Sequence, residues 1–493
     1  MFVFYLLLEI SNIIFIKNEK LIFVENIFRH GARAPIKTND DGNDLLGVKW
    51  PAPGEITAIG KRMEYILGLY NRKKYIIEKK FLSEKYDPHE LIVFSSDINR
   101  TLLSVTSQLQ GLYPPSYEKG NVLKPEQYNI SVPPFNINID DFADEIENLN
   151  DSAIPNYMTI IPIHFINLKN TTTECADKIK EFNDINEQNF EFISKFTEEF
   201  KNNYSTIFNN MYGRPQNFIY DFTAVNALFD AMVVDMTEGY NITGFFKRTG
   251  INMDYYMNIR YDILSAFFRD YLFGDKNNEV LLFSVTLLFK DMINYMKRRI
   301  EDDINEYPSL KNVSDYSRPR MVMISAHDTT LSAIEMFFIR FFDKAFESYE
   351  YPVYTSQITF EITRDEYENI LKEKNSFKNL KYSDYKISYY FNEKLFLNIT
   401  FDKFVEKIEN VIWNQEQMDR FCFGTKTNKK NDFTTSLIVI MCMGILIFIL
   451  IIVIIVLIVK LLKKTRSESW LENDKDKDNK FNGNERIIND EEE

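Results

Sequence analysis

The stretch FVENIFRHGARAP, residues 23–35, passes from an apolar run into Arg29-His30-Gly31-Ala32-Arg33-Ala34-Pro35. Residues 21–28 are apolar apart from Glu25 and Asn26, which predicts a parallel strand buried on both faces. A histidine between two arginines, in a glycine turn at the carboxyl end of such a strand, asks for a chemical reason. The chain holds only 4 histidines, so this one is not background.

Outward from that strand the pattern alternates. Residues 57–75 read as a helix capped by Thr57, with Ile59, Met63, Ile66, Leu67 and Tyr70 as its apolar stripe. ELIVFSSD, residues 90–97, reads as a second strand and 98–112 as a second helix. From 178 to 307 long helical patterns dominate, at 187–208, 222–236 and 279–305. Strand character returns with MVMIS at 321–325, followed by a helix from Thr329. QITFEITR is a late strand, KISYYFNEKLFLNI a hairpin around Asn392, and 401–412 a closing helix. The expected fold is α/β, a doubly wound, mostly parallel sheet with an inserted all-helical domain and a single C-terminal transmembrane helix. The α/β domain is expected over 19–150 and 311–424, with the helical insertion at 151–310.

Two flanking segments indicate the compartment. Residues 437–459 form an uncharged apolar run of 23 residues, enough to cross a bilayer as a helix. Lys460, Lys463, Lys464 and Arg466 follow it and favour a cytoplasmic C-terminus, although Lys426, Lys429 and Lys430 precede it. Residues 1–18 read as a signal peptide cleaved near Asn18, despite Glu9 and the lack of a basic start. Residues 425–436 are a polar stalk and 460–493 an acidic tail. The predicted protein is single-pass, with its catalytic bulk lumenal or extracellular, in lysosome, phagosome or cell surface. The sequons at Asn129, Asn150, Asn170, Asn203, Asn241, Asn312 and Asn398 all lie upstream of the apolar run and predict glycosylation. Cys442 falls inside that run. Cys175 and Cys422 remain on the exported side, as one long-range disulfide or two buried thiols.

A net charge of −14 argues against a nucleic-acid partner. Hydrophobic and charged fractions of 45% and 26% are those of an ordinary globular chain. With 3 cysteines and 4 scattered histidines, no zinc site is expected. His89 and His164 read as structural, and Arg62, Arg72, Lys73 and Lys74 as a solvated helix face.

An open α/β sheet places ligands at the carboxyl ends of its strands. Three strand ends here are polar: Arg29, His30 and Arg33; Ser95-Ser96-Asp97 with Arg100 one turn on; and His327-Asp328-Thr329. Superposed, they supply three guanidiniums, two imidazoles and a carboxyl. Guanidinium forks match phosphate oxygens. A neutral imidazole, kept unprotonated by neighbouring cations, can attack phosphorus. The arginines and His327 would stabilise the equatorial oxygens, and Asp328 would protonate the departing alkoxide. No metal or cofactor is called for.

RHGARAP, SSDINRTLLSVTSQLQGLYPP and SAHDTTL together resemble the histidine acid phosphatase family, which includes lysosomal and prostatic acid phosphatases and phytases. GEITAIGKRMEYILGLYNRKKY and YDPHELIVFSSD are similar to it as well. The resemblance runs over roughly 21–424 and is weakest across the helical insertion. It implies His30 as a nucleophile forming a phosphohistidine, with Arg29, Arg33, Arg100 and His327 binding phosphate and Asp328 as proton donor. A glycan on the sequon at Asn99 would then sit at the phosphate pocket, so that sequon is expected bare. The family's several disulfides are here reduced to Cys175–Cys422 at most. The resemblance is compatible with a homodimer.

The implied function is a membrane-anchored acid phosphatase acting on small phosphate monoesters. The alternatives are a phytase-like or lysophosphatidate-specific enzyme, or an inactive surface glycoprotein of the same fold. Phosphoglycerate mutase relatives share the R-H-G start, but export and the H-D pair argue against a glycolytic role.

Overall fold

A computed structural model describes residues 19–44, 46–118, 120–135, 138–166, 175, 222–249, 253–274, 278–305, 318–342, 349–365, 380–423 and 456–460. The expected signal peptide, the stalk, most of the apolar run 437–459, the acidic tail, the helix at 187–208, and Asn170, Asn203 and Asn312 lie outside those residues. Among the described residues no helix is long and apolar enough to cross a membrane. The chain divides into two compact units, Met1–Cys422 and Phe423–Glu493.

Among the described residues seven strands form one sheet in the order β3-β2-β4-β1-β5-β6-β7. They are β1 (Glu19–Arg29), β2 (Leu91–Ser95), β3 (His164–Phe165), β4 (Met321–Ala326), β5 (Gln357–Asp365), β6 (Tyr385–Phe391) and β7 (Lys394–Thr400). β3, β2, β4 and β1 are mutually parallel, whereas β5, β6 and β7 run antiparallel. The sheet is therefore mixed, and its parallel half carries the polar strand ends. Register aligns those ends: Ser95 sits opposite Ser325, and Arg29 opposite Ala326.

The helices are α1 (Ala58–Asn71), α2 (Asn99–Leu112), α3 (Ala143–Leu149), α4 (Phe222–Thr237), α5 (Thr243–Thr249), α6 (Met253–Ala266), α7 (Asn278–Ile304), α8 (Asp328–Phe341), α9 (Phe401–Glu409) and α10 (Gln415–Phe423). Period-2 alternation along β1 sends its side chains to two cores. Val24 and Phe28 join Val105, Leu109 and Leu112 of α2. Phe23 and Ile27 join Phe289 and Met292 of α7 and Leu331 and Phe337 of α8. Burying each such side chain stabilises the fold by about 1.5–3 kcal/mol. Leu228, Phe229 and Met232 of α4 belong to the second core too, so the helical segment is fused to the sheet's face.

The two polar interruptions of β1 are both buried. Asn26 is satisfied laterally, donating to Gln357 Oε1 and Thr359 Oγ1 at 2.9 Å. Burial, with Asp291 nearby, raises the Glu25 pKa well above the usual carboxylate range, which keeps it neutral in an apolar layer.

α1 departs from expectation. Thr57 caps it as predicted, accepting from the Gly60 N–H. The apolar stripe, however, faces outward: Ile59, Ile66 and Tyr70 are exposed, and the buried face is Gly60, Glu64, Gly68 and Asn71. The cause is the close approach of α2. A Cβ on Gly111 would lie 2.7 Å from the Leu69 nitrogen, so only glycines let the two backbones touch. Backbone proximity outranks side-chain hydrophobicity at this crossing.

The β6–β7 hairpin turns at Asn392 and Glu393 with φ of 45° and 66°, the paired left-handed geometry of a two-residue hairpin loop. Glu393 is held there by Lys74 at 2.7 Å and by Gln357 Nε2 at 2.9 Å. Cys175 and Cys422 are joined in a disulfide, with Cα atoms 4.4 Å apart across a sequence separation of 247.

Candidate active site

All six residues expected at the strand ends meet in one site at the carboxyl edge of β1, β2 and β4. His30 leaves β1 with its backbone N–H on the Ala326 carbonyl at 3.1 Å. Gly31 follows, its N–H donating to Ser104 Oγ of α2 at 3.0 Å. A Cβ on Gly31 would stand 2.8 Å from the carbonyl carbon and 2.9 Å from the Cα of Gly60, so the turn is pressed against the start of α1. That contact leaves the turn carrying His30 no room to sink toward α1.

The His30 ring is buried, at 1% exposure. Its Nδ1 lies 2.9 Å from the Gly31 carbonyl oxygen. A carbonyl only accepts, so Nδ1 carries the proton and Nε2 keeps its lone pair. Burial first, then Arg29, Arg33, Arg100 and His327, lower the ring's pKa well below the ordinary histidine value. The result is a neutral imidazole in a cationic setting.

Arg29 is the most constrained cation. Its Nη1 donates to Tyr351 Oη at 3.2 Å and to the Pro352 carbonyl at 2.8 Å, and its Nη2 pairs with Asp328 Oδ2 at 2.8 Å. The guanidinium carbon also sits 4.4 Å from the Tyr354 ring centroid. Burial works against its charge, but Asp328 and the two tyrosines outweigh that and raise its pKa. Thr355, next to Tyr354, takes φ of 62°, a costly left-handed conformation for a β-branched residue.

Arg33 is held as a fork. Its Nη1 and Nη2 donate to Asp230 Oδ2 and Oδ1 at 3.0 and 2.9 Å, and Nη1 also reaches the Ala34 carbonyl at 3.1 Å. Arg100, near the start of α2, places Nη2 3.4 Å from His327 Nδ1. A guanidinium only donates, so Nδ1 accepts, and His327 Nε2–H donates to Ser96 Oγ at 2.8 Å. The His30 and His327 rings stand edge to face with centroids 5.6 Å apart.

His327 caps α8 in extended conformation, and Asp328 opens the helix with Oδ1 on the Thr329 N–H at 2.8 Å. Burial would raise the Asp328 pKa. Arg29, Arg33 and His327, with the Thr329 N–H, overcome it and hold the carboxyl below its usual range.

Asp230, Tyr351 and Tyr354 belong to the site and were not expected from the sequence as members of it, whereas Ser96, from a strand-end cluster that was, joins through His327. Ser96 was visible in SSD at a strand end. The tyrosines carried only the weak signal of YPVY before a strand. Asp230 had none, being one acid in a long helical pattern. Of the other histidines, His89 pairs with Asp87 at 2.9 Å and His164 is exposed at the start of β3. Lys74, expected on a solvated face, is instead largely buried against Glu361 at 3.1 Å.

Of the described sequon asparagines, Asn129, Asn150, Asn241 and Asn398 are exposed. Asn99 donates to Glu55 Oε1 at 3.0 Å, next to Arg100.

A family model described as histidine phosphatase superfamily (branch 2) matches residues 20–383. Human prostatic acid phosphatase is 39% identical over 98 residues, 20% of this chain and 24% of that protein. Lysosomal acid phosphatase of Xenopus laevis is 34% identical over 146 residues, 29% of this chain and 32% of that protein. These matches thus span about a quarter to a third of the relatives' lengths. A Klebsiella phytase structure superposes with a TM-score of 0.48 at 12% identity, over 81% of this chain and 98% of that one.

Proposed function

The chain belongs to the histidine phosphatase superfamily, branch 2, and on that footing we propose that it is a membrane-anchored acid phosphatase hydrolysing phosphate monoesters through a phosphohistidine. One observation carries the reading. Arg29, Arg33 and Arg100, ringed around His30, each bury an Nε–H that meets no acceptor among the described residues. Leaving a buried donor unmade costs about 1–3 kcal/mol, and more when it is charged. Three such donors on three cations suit a ligand that brings several acceptors and negative charge. A phosphoryl group does both.

The reaction runs on the chain's own groups. His30 Nε2 attacks phosphorus while Nδ1–H stays on the Gly31 carbonyl, which orients the ring and supports the cation formed. The three guanidiniums spread the charge of the equatorial oxygens. His327 assists as its Nδ1–H tautomer, with the Ser96 hydroxyl donating to Nε2, once Arg100 turns its 3.4 Å donor toward phosphate. The P–O bond breaks as Asp328 passes its proton to the alkoxide. Water, activated by the same carboxylate, then attacks the phosphohistidine and releases orthophosphate. Asp328 must gain a proton first. Arg29 opposes that, whereas a phosphate dianion bound beside the carboxyl favours it. Turnover is therefore favoured by acid.

The apolar run at 437–459 and the exposed sequons support a tethered, lumenal or extracellular domain. The test is hydrolysis of phenyl phosphate at pH 5 by the full-length chain and by His30→Ala. Turnover should vanish in the variant, and rapid quenching of the wild type should trap an alkali-stable, acid-labile phosphoryl group. Undiminished turnover by His30→Ala would end the proposal.

A further inference from the structure

We propose that Asp230 determines the substrate class: by occupying the outer fork of Arg33 as a built-in anion, it fits the site to one phosphoryl dianion on an otherwise uncharged alcohol or phenol and against esters carrying further phosphates. This rests on the phosphatase reading above. Two observations carry it independently of sequence resemblance.

The first is the fork. Both Asp230 oxygens are engaged, at 3.0 and 2.9 Å, and Nη1 is completed by the Ala34 carbonyl. Of the five N–H groups on Arg33, only Nε–H and one on Nη2 are left for a substrate. The acid cannot drift, because its neighbours on α4, Phe229 and Ala231, are buried in the core and Glu238, two turns on, grips Thr57 Oγ1 at 2.5 Å. Its side chain still shows 17% of its surface, so the pair is not sealed from solvent.

The second is charge. Three arginines less Asp230 leave two net positive charges once Asp328 is protonated and the imidazoles are neutral. One phosphoryl dianion balances them. A second phosphate on the leaving group finds no surplus cation in this set, whose neighbours add further carboxylates: Asp230 on Arg33, and Glu55 on Asn99 next to Arg100.

The experiment compares the full-length chain with Asp230→Asn, nearly isosteric, and Asp230→Ser, which serves if the first does not fold. Each is assayed with phenyl phosphate and inositol hexakisphosphate, and orthophosphate binding is measured by calorimetry. The inference expects kcat/KM for the hexakisphosphate to rise relative to phenyl phosphate by about tenfold or more, mainly through KM. It also expects orthophosphate to bind about tenfold tighter. An unchanged ratio overturns it. So does an equal loss on both substrates, which would make Asp230 only a prop for Arg33. If no form turns over either ester yet orthophosphate still binds tighter to the variants, the hydrolase reading falls and the role of Asp230 in anion choice stands. Unchanged orthophosphate affinity counts against Asp230 whatever the turnover.

Discussion

Replacing Gly31 with alanine tests whether the turn after β1 sets the position of His30. The new methyl group would stand 2.8 and 2.9 Å from the carbonyl carbon and Cα of Gly60, where ordinary contact begins at 3.4 Å. Both neighbours are backbone, and Gly60 itself is wedged against Ala32, so no side chain can swing aside. The turn and α1 must separate by about 0.5–1 Å, as steric repulsion demands. Overpacking of this kind costs about 1–3 kcal/mol of stability. The larger effect is on chemistry. His30 moves with the turn while Arg29, Arg100 and Asp328 stay anchored to β1, α2 and α8. A displacement near 1 Å from attack geometry lowers kcat by about a hundredfold. Gly120→Ala is the control, since nothing lies within 4 Å of its Cβ position. Phenyl phosphate hydrolysis and thermal unfolding are followed in parallel. If Gly31→Ala turns over as fast as Gly120→Ala, the close contact does not position His30 and the reasoning fails.

Asp328→Asn should lower kcat about 10²–10⁴-fold on alkyl phosphates, whose leaving groups need a proton, and far less on a dinitrophenyl phosphate. Equal losses on both would remove Asp328 as the acid. Its pKa is held low in the free protein, so the protonated fraction, and kcat, should climb as pH falls; a maximum at or above neutral pH contradicts this. Glu335 on α8 is 3% exposed, and burial pushes its pKa up to about 8. An unfolded glutamate ionises near 4.3, so the stability this group provides is present in acid and is lost as pH rises toward about 8. Thermal melts of Glu335→Gln should fall less than wild type across that window, and parallel curves would refute the assignment.

The sequence alone was enough for the local pieces. The polar ends of β1, β2 and β4 were legible because a buried parallel strand shows as a continuous apolar run and stops where polarity begins. Thr57 and the Asn392 turn were legible because caps and tight turns are matters of one or two residues. The disulfide was narrower: the sequence offered one exported pair, and only coordinates chose bond over thiols. Tertiary structure decided the rest. Which face of α1 is buried depended on the glycines that let α2 approach, against the apolar stripe. Whether the helical segment stands apart or shares the sheet's core depended on α4 and α7. The fork from Asp230 to Arg33 joins residues 197 apart, and the tyrosines that enclose Arg29 come from 322 and more residues away. Periodicity and propensity act over a few residues and record which groups a segment must bury or expose. They carry no information about which distant charge will neutralise which, because that energy exists only once the chain has closed and water has been excluded from between the partners.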